Sequence, residues 1–453
     1  MRPNAILRKL VVVLLGCFVM SSAVSAAEGE GMLTLRDSID LALKQSVIIH
    51  AAREGVTGAE ASRKEAFTGF LPKLSTSYNY TRLNEAPTFL FPGIPPALPR
   101  TVTTGTRDNY TWALEARQPI FAGGGILANY EASSFGVSAA QMEERGIVLD
   151  IIQGVKVAYF NVIKAEKLLV VARQSVKQLE AHRDMAQGFF DVGMIPRNDL
   201  LHAEVQLANG RQFLFRSENS LELARAKLNT LLRRTIDAPV KVEDIFAYKP
   251  FEKSPGDCQK IALENRPEIR AYSMKVEQAK KIVSQTKSEF FPNVALVGNY
   301  SRFGDTPGVS GNEFKDQESW YLMAVANWNF WEWGRTKNRV DVSKSRENQI
   351  AYVLANIKDM IILEVKNADL LMREAEQQIL VSRKAIEQAE ENFRITQERY
   401  KEQVTTSSDV LDAQILLTRA KSDYTNAIGD YHISHANLER AMGVEQELAS
   451  WVQ

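Results

Sequence analysis

The chain has only two cysteines among its 453 residues, only five histidines, and no surplus of charge, with 55 basic and 55 acidic side chains. Cys17 sits in an apolar leader, so Cys258 has no partner downstream and no disulfide framework can hold the fold. Stability must come from packing. A formal charge of zero offers little with which to neutralise phosphates, which sets nucleic acid aside as a partner. His432 and His435, at i and i+3, read as a helix surface or seam rather than a metal-ligand pair. No nucleophile–base pairing, His-Glu-x-x-His, phosphate loop or Cys/His cluster stands out, so the sequence suggests neither an enzyme nor a cofactor. Gly123-Gly124-Gly125 lacks the Lys-Ser/Thr that follows a phosphate loop and reads as a turn.

Long hydrophobic runs are also missing. The run from Leu10 to Met20 follows Arg2, Arg8 and Lys9 and precedes Val24-Ser25-Ala26, the pattern of a secretory signal cleaved after Ala26. It is too short to span a bilayer, and no later stretch reads as the roughly 18 uncharged apolar residues that a membrane helix needs. An exported chain of this kind would meet a membrane with strands. Leu14-Leu15-Gly16-Cys17 also resembles a lipoprotein processing site, which would leave Cys17 acylated; the small-residue cleavage site is the reading preferred here.

What is present is repetition. Asp37–Arg82 aligns without a gap on Asp257–Arg302, with about a dozen identities that include Phe70/Phe290, Pro72/Pro292, Tyr80/Tyr300 and Arg82/Arg302. One structural unit is used twice. Each unit opens with a helical segment that stops at Pro72 or Pro292. Period-two alternation follows: Leu74, Tyr78 and Tyr80 share one face, with Ser75, Ser77, Asn79 and Thr81 on the other. After a polar, Pro-rich loop (85–106), Tyr110, Trp112, Leu114, Ala116 and Ile120 define a second strand. The second unit gives Val294, Leu296 and Tyr300, a Gly-rich loop (304–317), then Trp320, Leu322, Ala324, Ala326, Trp328 and Phe330. Tyr80, Tyr110, Trp112, Tyr300, Trp320, Trp328 and Phe330 cluster toward strand ends, as aromatic girdles do in membrane barrels. Four strands cannot close a barrel, and only a closed sheet is tolerated in a bilayer, so several chains must share one.

Between the hairpins the pattern changes to heptads. Val148, Val155, Val162, Leu169 and Val176 alternate with Ile151, Ala158, Ala165, Ala172 and Leu179, and Val365, Met372 and Ile379 with Ile361, Ala368 and Ala375 repeat the beat 210 residues on. The return helices carry Leu200, Leu207, Leu214, Leu221 and Leu228 and, in the second unit, Val410, Leu417, Tyr424, Tyr431 and Leu438. A run of roughly 65 residues is a rod near 100 Å long, far more than a globular domain needs. The rods turn at tips near 192–198 and 402–408. Gly193 and Pro196 break the first, Asn198 is a plausible N-cap for the helix that follows, and Thr405, Thr406, Ser407 and Ser408 offer a cap in the second.

The duplicated plan and the segments around Gly193 and Asp409-Val410-Leu411-Asp412-Ala413 resemble the TolC-type outer-membrane efflux ducts across nearly the whole mature chain. The resemblance implies a mixed α+β homotrimer with a twelve-stranded barrel in outer-membrane lipid and a long helical tunnel in the periplasm. A periplasmic adaptor protein would dock on its tips, with an inner-membrane pump as the third component of an efflux or type I secretion system. The expected parts are a signal peptide (1–26) and two repeats (27–250 and 251–453) with β-hairpins at 73–121 and 293–331. In the family's terms Asp409 and Asp412 would line the periplasmic gate, with Tyr400 and Asp199 in the polar links that hold it shut. Gly193, Met194, Ile195, Val404 and Thr405 would form the adaptor-docking tips. Thr405 stands where some relatives carry an arginine, and Gln403 replaces a family glycine. First-turn acids can instead serve only the helix dipole. An envelope spacer without a pore is the competing reading of the rods; the greasy strand faces argue against it.

Overall fold

The computed structural model describes residues 32–444 except 94–97 and 99; the signal cleavage after Ala26 and the question of acylation at Cys17 lie outside the described residues. The first repeat contains α1 (Leu35–Gln45), α2 (Val47–Thr68), β1 (Lys73–Arg82), β2 (Thr88–Phe91), β3 (Arg100–Thr103), β4 (Asp108–Ala122), α3 (Gly125–Asp191) and α4 (Arg197–Leu231). The second contains α5 (Pro255–Asn265), α6 (Pro267–Lys287), β5 (Asn293–Gly304), β6 (Glu318–Asn327), α7 (Arg335–Lys401) and α8 (Ser407–Met442).

Several expectations change in detail. The opening segment of each repeat is two helices, not one. Ser46 (φ −63°, ψ 117°) and Arg266 (φ −59°, ψ 120°) break it at aligned positions, Ser46 by accepting from the Ile49 amide and Arg266 because Pro267 follows it. The loop at 85–106 holds a ribbon of its own, β2 paired with β3. Ile120 is an unpaired bulge residue between Pro119 and Phe121, because proline cannot donate to the ladder. Trp328 and Phe330 lie past the end of β6, in the connection to α7.

The main sheet has the order β1-β4-β5-β6, antiparallel throughout, so the two hairpins sit side by side and leave β1 and β6 as open edges. Tyr80 opposes Tyr110 and Tyr300 opposes Trp320; Tyr321 and Met323 of β6 lie on one face, and most of the large apolar residues lie on the other. Leu74, Tyr78, Trp320 and Leu322 are 52–76% exposed there.

Both long helices have 67 residues, a length of roughly 100 Å. Their heptad residues are the ones that disappear from solvent: Val155, Val162 and Ala172 on α3, Val365, Met372 and Ile379 on α7, Leu207 and Leu228 on α4, Val410 and Leu438 on α8. Two cores result. One joins Tyr159, Phe160 and Ile163 to Leu35, Ile39, Leu228 and Val240; the other joins Cys258, Ala262 and Ile269 to Met372, Tyr431 and Met442. Each large side chain removed from water contributes about 2 kcal/mol before entropy is counted. No uncharged run of that length occurs in α3, although one 18-residue window that tolerates charged residues reaches a mean hydropathy of 1.5. Its host helix owes that composition to the first core, where Val155, Tyr159 and Phe160 are fully covered.

Candidate functional site

The functional candidates occupy two ends of the molecule, separated by the length of the rods. At one end are the sheet and its aromatics; at the other are the two hairpin tips.

The tips share one backbone. Gly193 N–H donates to Phe190 O and Met194 N–H to Phe189 O; 210 residues later Gln403 N–H donates to Tyr400 O and Val404 N–H to Arg399 O. Gly193 (φ 76°) and Gln403 (φ 58°) both supply the left-handed residue this turn requires. Val192, Met194 and Val404 project apolar surface, 55–69% exposed, while Ile195 folds back on Phe190 and Leu200. Gln403 Nε2 touches Met194 Sδ at 3.4 Å, so the tips meet. The first return helix starts from Pro196 with no side-chain cap, and Asn198 lies inside it rather than at its head.

The second return helix has a complete capping box. Thr406 Oγ1 accepts from the Asp409 amide at 3.2 Å, and Asp409 Oδ2 accepts from the Thr406 amide at 3.0 Å. The Thr405 and Thr406 hydroxyls donate to the same oxygen at 2.6 and 2.7 Å. These donors, Thr405 first, hold the Asp409 carboxyl down at about 2. Thr405 therefore serves this cap. Asp412 lies one turn on, exposed on the same helix.

Tyr400 ends α7 buried to 3% exposure, its ring 5.1 Å from His182 and 5.5 Å from Phe189. Burial pushes its phenol up, the Ser407 hydroxyl opposes that, and the nearby Asp199 charge adds to the rise. Asp199 is felt at Tyr400 only as a charge; no hydrogen bond joins the two.

His182 was not legible as a site residue. Its Nε2 lies 2.9 Å from Ser407 Oγ, both groups buried, and burial lowers its pKa to about 4. It begins a polar ladder between α3 and α8. Gln414 Nε2 donates to Gln178 Oε1 (2.8 Å), Thr418 Oγ1 to Ser175 Oγ (3.1 Å) and Lys164 Nζ to Asp430 Oδ1 (3.0 Å). The buried Lys156–Glu439 pair (2.6 Å) continues it. Nearby, His432 stacks on Phe160 at 4.5 Å and His435 lies 3.6 Å from Glu439, each lowered to about 4 by burial. The two histidines are seam residues. The only sequence signal for this ladder was polar residues at positions beside an apolar seam.

At the sheet end, Pro72 and Pro292 stand immediately before β1 and β5. Tyr80, Tyr110, Trp112, Tyr300 and Trp320 gather at the hairpin-loop end; Tyr80 and Tyr110 stack at 4.7 Å and Trp112 meets Tyr300 at 6.0 Å. Trp328 and Phe330, 6.1 Å apart, join Trp331 and Trp333 at the helix end. The sheet has an aromatic row at each rim, and the strands between them carry the apolar face.

Comparison with known proteins gives this geometry its relatives. The profile of the family described as "Outer membrane efflux protein" matches residues 38–232 and 259–444. The outer membrane efflux protein BepC of Brucella suis is 21% identical over 412 residues, 89% of this chain and 86% of its own. The outer membrane protein TolC of Vibrio cholerae is 23% identical over 324 residues, 67% of this chain and 69% of its own. In structure, the CmeC outer membrane channel of Campylobacter jejuni superposes with a TM-score of 0.77 at 18% identity, covering 90% of this chain and 85% of that one. Both halves of the profile fall on the two repeats whose sheet and rods were described above, and the chain belongs to the outer membrane efflux protein family.

Proposed function

We propose that three copies of this chain form a passive duct through which an efflux system discharges across the outer membrane. The observation that carries this is the open sheet: four strands with a lipid-compatible face and both edges unpaired, mounted on rods of roughly 100 Å. Three copies would supply twelve strands, an even number within the range of membrane barrels. The uncovered row of Tyr352, Met360, Leu363 and Leu370 on α7, 51–77% exposed, fits helix-to-helix contact between copies.

At the tips, Met194, Val404 and the turns at Gly193 and Gln403 are the surface for a periplasmic adaptor, with an inner-membrane pump supplying the energy. Ile195 supports that surface from within, and Thr405 holds the second turn in shape. Asp412, its carboxylate not used in the cap, is the stronger candidate for an acidic ring at the entrance. Asp409 contributes its charge to the same face while serving the cap, and Tyr400 with Asp199 fixes the second tip against the first. The aromatic rows would lie at the two membrane surfaces. The acylated or unacylated state of Cys17 would not change this duct.

Single-channel recording in a planar bilayer under a KCl gradient tests the reading. A discrete, cation-preferring conductance whose preference falls in Asp412→Asn is expected. A folded protein that remains water-soluble and never enters lipid would instead favour a spacer of the envelope.

A further inference from the structure

The two hairpins are built to one register. Tyr80 opposes Tyr110 as Tyr300 opposes Trp320, so β1 maps onto β5 by a shift of 220 and β4 onto β6 by a shift of 210. Even the ion pairs repeat, Arg82–Asp108 at 3.6 Å and Arg302–Glu318 at 3.5 Å. Inside the chain the hairpins meet at the β4–β5 seam. The same shifts make that seam a template for the one that β6 could form with β1 of another copy.

Carried over, Leu114 opposite Tyr300 becomes Ala324 opposite Tyr80, and Ala116 opposite Gly298 becomes Ala326 opposite Tyr78. Each tyrosine meets an alanine, which leaves room for rings that are half exposed in the single chain. A slip of two residues would set Tyr80 against Leu322 in one direction or Tyr78 against Trp328 in the other and lose that fit.

The template differs at two points: Asn329 stands where Pro119 makes the bulge, and the turn that follows is built on a different residue. Gly123 (φ 58°) sits where a Cβ would come 2.5 Å from Ser288 O and 2.8 Å from Phe291 Cβ. Its counterpart is Trp333, in the same left-handed backbone (φ 53°) with its side chain 87% exposed. A bulky residue rarely keeps that conformation, and strain of this kind persists where the surroundings use it. The counterpart of Ser288–Phe291 is the corner Thr68–Leu71, around which Phe67, Phe70 and Leu71 leave apolar surface open. That corner also differs in build: the second repeat has a 3₁₀ turn at Ser288–Phe290, whereas α2 runs to Thr68 and turns at Gly69.

We infer that Trp333 is a wedge between subunits: β6 of one copy pairs with β1 of the next in the register above, and the indole packs on the neighbour's Thr68–Leu71 corner. The partner is a second copy of this chain, so the inference rests on the duct reading. Three such seams would be held wider than the internal ones and filled by a ring.

The test uses the full chain in a Cys258→Ser background. Asn327→Cys with Ser77→Cys, which face each other in this register on the less apolar face, should give covalently linked trimers on oxidation. Asn327→Cys with Asn79→Cys, two residues out, should give at least tenfold less, and neither single-cysteine variant should link into trimers. Trp333→p-benzoylphenylalanine should, on irradiation, attach to residues 67–71 of a second chain. Trimers that link through the slipped pair, or a photoadduct on lipid alone, overturn the inference and leave the duct intact. A protein that is monomeric in lipid overturns the duct reading itself.

Discussion

Gln403 holds at φ 58° the turn that Gly193 holds at φ 76°, with equivalent hydrogen bonds from equivalent residues. The second tip therefore keeps the shape of the first while bearing a side chain that the left-handed region disfavours by about 1 kcal/mol or more. Gln403→Gly should stabilise the folded chain by about 1 kcal/mol, seen as a higher midpoint in urea, and leave the turn at Gly193 unchanged. A loss of stability would mean that the contact with Met194 outweighs the strain.

The cap and the proposed ring can be separated. Thr406→Ala should cost about 1 kcal/mol of stability without altering ion preference, whereas Asp412→Asn should alter preference without a matching loss of stability. Asp409→Asn should do some of both. Conductance and denaturation measured on the same preparations decide it.

Asp409 also fixes a direction with acid. Its folded pKa of about 2 lies below the ordinary 3.8, so its contribution is complete above about pH 4 and is lost as pH falls toward 2. In Thr405→Ala/Thr406→Ala that loss should shift to higher pH, which NMR titration of the side-chain carboxyl reads directly.

The buried histidines act over a different range. His182, His432 and His435 are lowered from 6.5 to about 4, so the unfolded chain binds more protons between those values and stability falls as pH drops from about 6.5 toward 4. Each contributes on the order of 3 kcal/mol to the loss across that range. His182→Asn should flatten it by about a third, and because its partner is Ser407 at the second tip, the entrance should also open more often in single-channel records. A slope unchanged by the substitution would remove His182 from this account.

Pro72 and Pro292 stand where each opening helix gives way to a strand. Replacing either with alanine should reduce assembly into trimers far more than it reduces helical circular dichroism, since the rods lie beyond the sheet. Equal trimer yield from both variants would show that the strands begin there without the prolines.

Much of this architecture could be read from patterns whose physics is local. Seven-residue spacing of Val155, Val162 and Leu169 needs only a helix to place them on one seam, and alternation of Tyr78 and Tyr80 with Ser77 and Asn79 needs only a strand. The tips were legible because Gly193 and Thr406 are backbone signals. The break at Ser46 was not, because an apolar period continues across it and the break appears only where the chain packs. The bulge at Ile120 escaped for a related reason: Pro119 announces a missing donor, but the register shift depends on β5 alongside.

The sequence by itself determined two repeats, amphipathic strands, rods of coiled-coil period and the residue types at each turn, since these follow from propensity and periodicity along the chain. The tertiary structure decided which polar residues face one another. His182 and Ser407 are 225 residues apart, and Lys156 and Glu439 are 283 apart; their pairing comes from laying α3 antiparallel to α8. It also decided that Asp409 is a cap as well as a charge, and that Trp333 stands in a glycine's place. Each of those facts depends on distances between atoms that no pattern along the chain contains.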